Sequence, residues 1–230
     1  MRWWLLGLLV ACAGFALAVQ QRWVELPSRW NPWAPLDVRD EPNLLTRYKL
    51  WRLRDDAELC RLALQSSDLK AQAMADSEPV AGCPLHNVWR VQAAGVKLSS
   101  SFLASCPLAV SFALFERHSL QPAAREVYGR SVSAVEHLGS FACRNIYGRA
   151  DGRRSQHATA NALDITAFRL ADGRRIVVAT DWSEDGDAAR FLRTVRDRAC
   201  GNFDGVLGPD YNRAHHDHFH LDLGGWQVCR

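Results

Sequence analysis

The sequence has no block of lysine or arginine residues, and its 28 basic and 25 acidic side chains leave a net charge of only +3. Proteins that bind nucleic acid need a concentrated positive surface, so no nucleic-acid partner is expected. Internal repeats and low-complexity tracts are absent too. With 48% apolar and 23% charged residues in a chain of 230, the composition excludes a disordered protein and predicts one sizeable folded domain.

The N-terminus lacks charge over seventeen consecutive residues, from Trp3 to Val19. This is the shortest run that can cross a bilayer as a helix. Ala16-Leu17-Ala18 also suits a signal peptidase, so residues 1–22 are either a membrane anchor or a signal peptide. Flanking tryptophans favour the anchor because they resemble an interfacial aromatic belt. In both cases the rest of the chain is exported, beginning with an extended spacer rich in proline and tryptophan at 23–43.

The seven cysteines include no Cys-x-x-Cys pair. Cys12 lies in the apolar segment, and the other six are widely spaced. This pattern predicts three disulfides in an oxidising compartment rather than the free thiols of a cytosolic protein. The pair Cys200–Cys229 is favoured because it would hold the C-terminus, and the other pairings stay open.

Apolar periodicity divides residues 44–230, the main domain, into a helical first part and a β-rich second part. Two helices are predicted within 44–74, separated near Ser66-Ser67, and a core helix runs from Leu108 to His118. The β-rich part includes one more helix, Asp187–Ala199. Strands are predicted at 88–91, 96–98, 132–138, 140–144, 163–170, 176–179, 205–207 and 219–223. This order is typical of an α+β fold with a mainly antiparallel sheet.

Five of the eight histidines lie in the last third of the chain, in two segments. The first segment contains His157 and Asp164, and the second is the run 215–220. Imidazole nitrogens and carboxylate oxygens together suit Zn²⁺, and a tetrahedral zinc with three protein ligands keeps one position for water. The two segments therefore predict a catalytic type of zinc site.

Strand parity gives a first interpretation of the second segment. Alternate residues of an extended strand share a face, which predicts His216, His218 and His220 on one face and Asp217 on the other. Three imidazoles on one face repel one another when protonated, but they become favourable if a cation takes their lone pairs. Parity assigns no specific role to His216.

The motif Ser155-x-His157-x-x-Ala160-x-Ala162-x-Asp164 resembles the Ser-x-His-x-x-Gly-x-Ala-x-Asp motif of the LAS superfamily of zinc peptidases. That group includes lysostaphin, the D-Ala-D-Ala peptidases, the penicillin-insensitive murein endopeptidase and the zinc fold of Hedgehog. One departure is Ala160, where the superfamily has glycine. If that glycine supplies a positive φ, alanine is costly there and the turn differs.

A closer resemblance covers residues from about 60 to the C-terminus, which are similar to the bacterial extensin-like C-terminal domain family. It is carried by Cys143-Arg144, the first zinc motif, Val206-Leu207-Gly208-Pro209, Tyr211-Asn212 and the segment 215–222. The resemblance implies a LAS/Hedgehog-type antiparallel sheet with helices on one side. It also implies a location in the cell envelope, either anchored in the inner membrane and facing the periplasm or released into the periplasm.

The resemblance further implies a role for each matching residue. Zinc would be bound by His157, Asp164 and His220. His218 would orient the water or stabilise the charged intermediate, ahead of two further catalytic candidates, Asp217 and His215. Arg144 would bind a substrate carboxylate or carbonyl, and Ser155 would form a hydrogen bond with the substrate or with a ligand residue.

The implied function is zinc-dependent hydrolysis of amide bonds in peptidoglycan or its peptide stems. Three alternatives stay open. The chain could be a non-catalytic cell-wall-binding or scaffolding module that keeps the fold, or a hydrolase of another envelope amide. It could also be an exported metal carrier, which would bind Cu or Ni as readily as Zn and would not need Asp164.

Overall fold

The computed structural model of the protein describes residues 2–21 and 23–230. Its first element is the apolar helix α1 (Arg2–Gln20). The window Trp3–Gln20 has a mean hydropathy of 1.9 and is almost entirely outside the folded core. A helix of this length and composition is suited to be a signal sequence or a membrane anchor, as predicted. The predicted end of this segment, residue 22, lies outside the described residues.

The remaining helices flank or cover the sheets. They are α2 (Thr46–Arg52), α3 (Ala57–Gln65), α4 (Cys106–Phe115), α5 (Gln121–Tyr128), α6 (Val178–Asp181) and α7 (Asp187–Ala199). One π-type turn, Glu116–Leu120, joins α4 to α5. Pro122 has no N–H to donate to the carbonyl four residues earlier, and a wider turn before it accommodates this loss. The bounds of α7 agree with the sequence prediction.

A helix ends near Ser66-Ser67 as predicted, since α3 stops at Gln65, but the second helix predicted after this point is wrong. The two helices of this segment are instead separated after Arg52, and the Asp56 carboxylate begins α3 by accepting a hydrogen bond from the Leu59 N–H at 2.8 Å. Such a cap satisfies a backbone donor that no residue of the helix can satisfy. The chain after Ser66-Ser67 then forms a strand instead of a second helix.

The strands form one large and two small sheets. They are β1 (Lys70–Ala73), β2 (Ser77–Val80), β3 (Cys83–Leu85), β4 (Val88–Ala93), β5 (Lys97–Leu98), β6 (Phe102–Ser105), β7 (Val132–Gly139), β8 (Ala162–Leu170), β9 (Arg175–Val177), β10 (Gly205–Leu207), β11 (Phe219–Asp222) and β12 (Val228–Cys229). The large sheet has the order β12-β10-β11-β8-β7-β5, with β9 also paired to β8. Only its edge pairs β10–β12 and β5–β7 are parallel. The α+β class with a mainly antiparallel sheet is confirmed.

The predicted strand at 140–144 is not formed. β7 ends at Gly139, whose φ of +108° turns the chain out of the sheet. Such a φ is readily adopted only by glycine. The following segment is held instead by the disulfide between Cys143 and Cys83. The predicted strand 176–179 is also shorter, because α6 begins at Val178.

The central strand β8 contributes apolar side chains to the main core from both its first half and its second half. Leu163 and Ile165 are in the core, and so are Phe168 and Leu170, although strict alternation would place these pairs on opposite faces. The register explains this, because Thr166 is an extra residue where β8 pairs with β7. This β-bulge reverses the parity. Side chains of α4 and α7 complete the same core.

The segment predicted as an extended spacer is attached to the domain over part of its length. Leu36 and Val38 are buried in the main core. The Lys49 ammonium of α2 donates to the carbonyl of Ser28 at 2.7 Å, and Arg52 donates to the carbonyl of Pro32 at 2.8 Å. These contacts hold the segment along α2.

Three disulfides connect distant parts of the chain, as predicted. They join Cys60 to Cys106, Cys83 to Cys143, and Cys200 to Cys229, closing loops of 46, 60 and 29 residues. The favoured pairing of Cys200 with Cys229 is confirmed. Each link stabilises the fold by about 2–4 kcal/mol through restriction of the unfolded chain.

We expect Phe168→Ala to lower the free energy of unfolding by about 3–5 kcal/mol, because a buried aromatic side chain is replaced by a cavity. Phe168 is fully buried, and its ring centroid lies 5.5 Å from that of Phe191. Urea unfolding followed by tryptophan fluorescence measures the change. Leu138→Ala is the control, because Leu138 is 66% exposed, and its effect should stay within about 0.5 kcal/mol. Equal effects of the two substitutions would contradict this account of the core.

Candidate metal centre

The pairing of β8 with β11 brings two of the expected ligands together. His220 lies directly opposite Asp164 in this antiparallel pair. Cross-strand neighbours on one face have side chains within contact distance, and His220 Nδ1 is 2.9 Å from Asp164 Oδ1. The alternate residues Phe219 and Leu221 point into the core. Core packing therefore determines the face on which the two polar side chains lie.

The third side chain, His157, comes from a short 3-10 turn, Gln156–Thr159, just before β8. Ser155 caps this turn by accepting the His157 N–H. The turn ends at Ala160, which has a φ of +51°. The turn thus keeps the left-handed conformation that a glycine would favour, at a cost of about 1–2 kcal/mol for alanine. The Ala160 methyl is fully buried in a small apolar cluster with Leu85, which offsets part of that cost.

Three ligand-type atoms converge at this point. His157 Nε2 is 3.2 Å from Asp164 Oδ1 and 3.1 Å from His220 Nδ1. With the 2.9 Å distance between Asp164 and His220, they form a nearly equilateral triangle. Ligand bonds of about 2.0–2.1 Å in a tetrahedral zinc site place ligand atoms about 3.3 Å apart. The triangle therefore has the dimensions of one face of such a site.

Hydrogen bonds on the outer side of both imidazoles direct their lone pairs into this triangle. His157 Nδ1 donates to the carbonyl of Ser140 at 3.0 Å, and His220 Nε2 donates to Asp222 Oδ2 at 3.0 Å. In the neutral imidazoles the inner nitrogens are therefore acceptors, and the carboxylate of Asp164 is an acceptor too. One proton can satisfy only part of such a cluster, whereas a cation satisfies all three atoms. Outer hydrogen bonds of this kind are a regular feature of histidine metal ligands.

Burial and hydrogen bonding shift the pKa values of the triangle in opposite directions. Burial would raise the pKa of Asp164, but the adjacent His157 and His220 side chains outweigh it and lower the pKa far below its ordinary value. Burial would lower the pKa of His220, but hydrogen bonds to Asp164 and Asp222 raise it from 6.5 to about 9. Without a metal, His220 is therefore protonated at neutral pH.

The strand-parity prediction for residues 216–220 is wrong, because β11 begins only at Phe219. His216 lies in the preceding turn with 68% of its side chain exposed, and it takes no part in the triangle. His218 Nε2 lies 3.6 Å from Asp164 Oδ1, next to the triangle. Its Nδ1 donates to Asp217 Oδ1 at 2.8 Å. Asp217 therefore reaches the centre through His218 and not directly.

His215 belongs to the same cluster of rings, with its centroid 5.3 Å from that of His218. Its Nδ1 donates to Asn212 Oδ1 at 2.8 Å, and Asn212 Nδ2 donates to the hydroxyl of Tyr147 at 2.9 Å. Burial, followed by the neighbouring charge of His220, lowers the pKa of His215 to about 4. His215 is therefore a neutral imidazole at physiological pH.

The triangle lies in a cleft of about 530 Å³. Both predicted substrate-binding residues, Arg144 and Ser155, line it. Arg144 is exposed and is not within salt-bridge distance of any carboxylate in the part of the chain that the structure describes. Three further lining side chains give the cleft its aromatic and basic character: Tyr147, Arg153 and Trp226.

The family model described as "Extensin-like protein C-terminus" matches residues 58–230. The chain belongs to the extensin-like family. No curated protein and no solved structure matches the sequence. The family match begins inside α3, so it covers all of the described strands and all of the cleft.

Sequence reasoning missed several residues that support the centre of this extensin-like domain. Asp222 orients His220, and the carbonyl of Ser140 orients His157. Asp222 lies two residues after His220 in the same strand, and alternate residues of a strand share a face. This spacing could have identified Asp222 as a neighbour of His220. Gly205 lies opposite Asp222 in β10, and a Cβ at this position would collide with the Asp222 carboxylate. Ser140 carried no such signal, because its contact is made by the backbone.

The metal-free extensin-like domain is expected to lose stability between pH 6.5 and 9. A histidine in the unfolded chain titrates near 6.5, whereas the pKa of His220 is about 9 when folded. Its protonation stabilises the fold fully below pH 6.5, and this contribution disappears as the pH rises through 9. Urea midpoints in the presence of EDTA measure the effect. The loss should be absent in His220→Gln, and an equal loss in that variant would refute the assignment.

Proposed function

We propose that this protein is an exported zinc-dependent peptidase that hydrolyses amide bonds in peptidoglycan peptides. One observation carries the proposal. Three acceptor atoms, from His157, Asp164 and His220, converge within 3.2 Å, and the outer nitrogen of each imidazole is occupied by a hydrogen bond. One carboxylate and two imidazoles form a donor set that suits zinc, and three protein ligands are typical of catalytic zinc sites.

The resemblance to the LAS zinc peptidases supports the same conclusion. The residues of the triangle are those that the superfamily motif assigns to the metal, and Ala160 keeps the conformation expected of the motif glycine. A metal carrier is less well supported, because a carrier needs neither the single carboxylate nor the adjacent His218. The antiparallel sheet that carries Asp164 and His220 agrees with the fold proposed from the resemblance.

The protein side chains can perform the remaining steps of an amide hydrolysis. A bound zinc ion would lower the pKa of a water molecule and polarise the scissile carbonyl. His218 can accept a proton at Nε2 and deliver it to the leaving amine, because its Nδ1 is held by Asp217. Asp217 is a positioning residue in this scheme. His215, which stays neutral, can accept a hydrogen bond from the substrate in the cleft.

Location and charge indicate the substrate. The apolar helix α1 and the three disulfides point to a compartment outside the cytoplasm. Peptidoglycan is the abundant amide polymer of the bacterial envelope, and its peptide stems contain carboxylates. Arg144 supplies a guanidinium at the cleft for a carboxylate or a carbonyl of the substrate. The resemblance to the bacterial extensin-like C-terminal domain family supports a bacterial envelope.

The main competing function is a wall-binding or scaffolding module that keeps the metal centre without hydrolysis. Digests of purified peptidoglycan, resolved as muropeptides, distinguish the two functions. A peptidase releases new muropeptides when zinc is present, and the release stops in the His220→Ala variant. A scaffold would bind peptidoglycan and contain zinc, but the muropeptide profile would not change.

We expect His157→Ala to reduce bound zinc from about one ion per chain to almost none, because one of three protein ligands is lost. Peptidoglycan hydrolysis should disappear with the metal. His216→Ala is a matched control, since His216 belongs to the same histidine-rich part of the chain but lies outside the triangle. Metal content is measured by elemental analysis of protein purified at pH 7. Stoichiometric zinc in His157→Ala would refute the site.

His218→Ala should keep its zinc and lower kcat by about 10²–10⁴, the usual contribution of general acid–base catalysis. Asp217→Asn should cause a smaller loss, because it affects the orientation of His218 and leaves its Nε2 in place. Muropeptide release under saturating substrate measures kcat for both variants. An unchanged kcat in His218→Ala would exclude its role, and a larger loss in Asp217→Asn than in His218→Ala would reverse the assignment.

A further inference from the structure

The loop 144–154, at one side of the cleft, is rich in arginine. It contains Arg144, Arg149, Arg153 and Arg154. Arg154 has a structural role, since it donates to Asn145 Oδ1 at 3.3 Å. Within residues 2–21 and 23–230, the salt bridges of the chain include none of the other three. The proposed hydrolysis uses only Arg144, so two guanidinium groups have no function in it.

The loop is held in one shape by its own hydrogen bonds. Asn145 Nδ2 donates to the carbonyls of Arg149 and Ala150 at 2.9 and 3.0 Å, and the Ile146 N–H donates to the backbone carbonyl of Arg153 at 2.9 Å. Tyr147 adopts a φ of +58°, which is strained for a bulky residue. Strain of this kind persists only where the surrounding structure imposes it, and it is common at functional sites.

Each of the two unassigned arginines lies over an aromatic ring. The guanidinium carbon of Arg153 is 5.1 Å from the ring centroid of Trp226, and that of Arg149 is 5.8 Å from the ring of Tyr147. Trp226 is 65% exposed and Tyr147 is 49% exposed, and both line the cleft. A guanidinium stacked on a ring is held in orientation while its N–H groups stay available for a carboxylate.

The charges in the cleft favour an anionic ligand at this rim. The carboxylates that line the cleft already have partners, since Asp164 belongs to the triangle and Asp222 accepts a hydrogen bond from His220. The rim is also connected to the centre, because the hydroxyl of Tyr147 accepts from Asn212, which in turn accepts from His215. A ligand bound at the rim therefore lies beside the catalytic cluster.

We infer that the loop 144–154 and Trp226 form a rim that binds peptides through their free carboxylate groups. Arg153, which lines the cleft, and Arg149, which lies outside it over the ring of Tyr147, bind the carboxylates, and the rings of Tyr147 and Trp226 flank the peptide. This inference rests on the proposed function, because the bound peptide is the one whose amide bond reaches the metal centre. It adds a requirement that the metal centre does not impose, namely negative charge on the substrate away from the scissile bond.

The test compares two synthetic peptides binding to the zinc-loaded full chain in detergent. One is a peptidoglycan stem tetrapeptide with free carboxylates, and the other is the same peptide with the carboxylates converted to carboxamides. Calorimetry is carried out in the His218→Ala background so that the peptide is not cleaved. We expect the free acid to bind at least about tenfold more tightly, since a hydrogen bond to a charged group contributes at least that factor.

The arginine variants show whether the rim causes this preference. Arg149→Ala combined with Arg153→Ala should weaken binding of the free acid about tenfold and leave binding of the carboxamide unchanged. Arg174→Ala is the matched control, because its guanidinium also lies over a ring, 4.9 Å from the centroid of Tyr128, but that ring does not line the cleft. Equal affinity for both peptides, or no effect of the double substitution, overturns the inference.

Failure of the rim and failure of the proposed function give different results. Arginine-dependent binding of the free acid without any hydrolysis by the wild-type protein supports the rim and refutes the peptidase. Hydrolysis with an unchanged KM in the double variant supports the peptidase and refutes the rim. Equally tight, arginine-dependent binding of a polyphosphate chain would show a general anion site and would overturn the selectivity for carboxylate peptides.

Discussion

The structure of the site depends on the pairing of two strands, β8 and β11. Their register places His220 opposite Asp164, and their alternate residues, such as Leu163 and Phe219, pack into the core on the other face. The position of the acceptor atoms is therefore fixed by hydrophobic burial, which is the main contribution to the stability of the fold. A one-residue slip of β11 would turn His220 towards the core and away from Asp164. The same packing that stabilises the domain thus preorganises the candidate metal centre.

Segments outside these strands are held to the centre by covalent and polar links. The disulfide of Cys143 with Cys83 fixes the chain that supplies the carbonyl of Ser140 to His157. The disulfide of Cys200 with Cys229 fixes β12 beside β10, at the edge of the same sheet. Within the cleft, the carboxylates contact histidines, whereas Arg144 and Arg153 form no salt bridge with any residue that the structure describes. This distribution suits a bound cation in the interior and an anionic ligand at the rim.

Local sequence patterns predicted part of the fold well. The amphipathic period of Asp187–Ala199 predicted α7 correctly, because one face of this helix is buried. The apolar run 163–170 predicted β8, because most of that strand is buried. The end of α3 near Ser66-Ser67 was predicted correctly, whereas the residues after it pair with β4 as strand β1 and not as a second helix. The strand predicted at 140–144 did not form, since Gly139 turns the chain and the disulfide of Cys143 holds it elsewhere.

For the candidate site, the sequence named the residues His157, Asp164 and His220 through the family resemblance carried by the motif from Ser155 to Asp164 and by the pair His218-x-His220. Only the tertiary structure decided which histidines meet. Parity could not exclude His216, since the point where a strand begins depends on the pairing partner and not on alternation. The stacking of Arg153 on Trp226 likewise joins segments that are far apart in the chain. Local sequence patterns do not predict contacts of this kind.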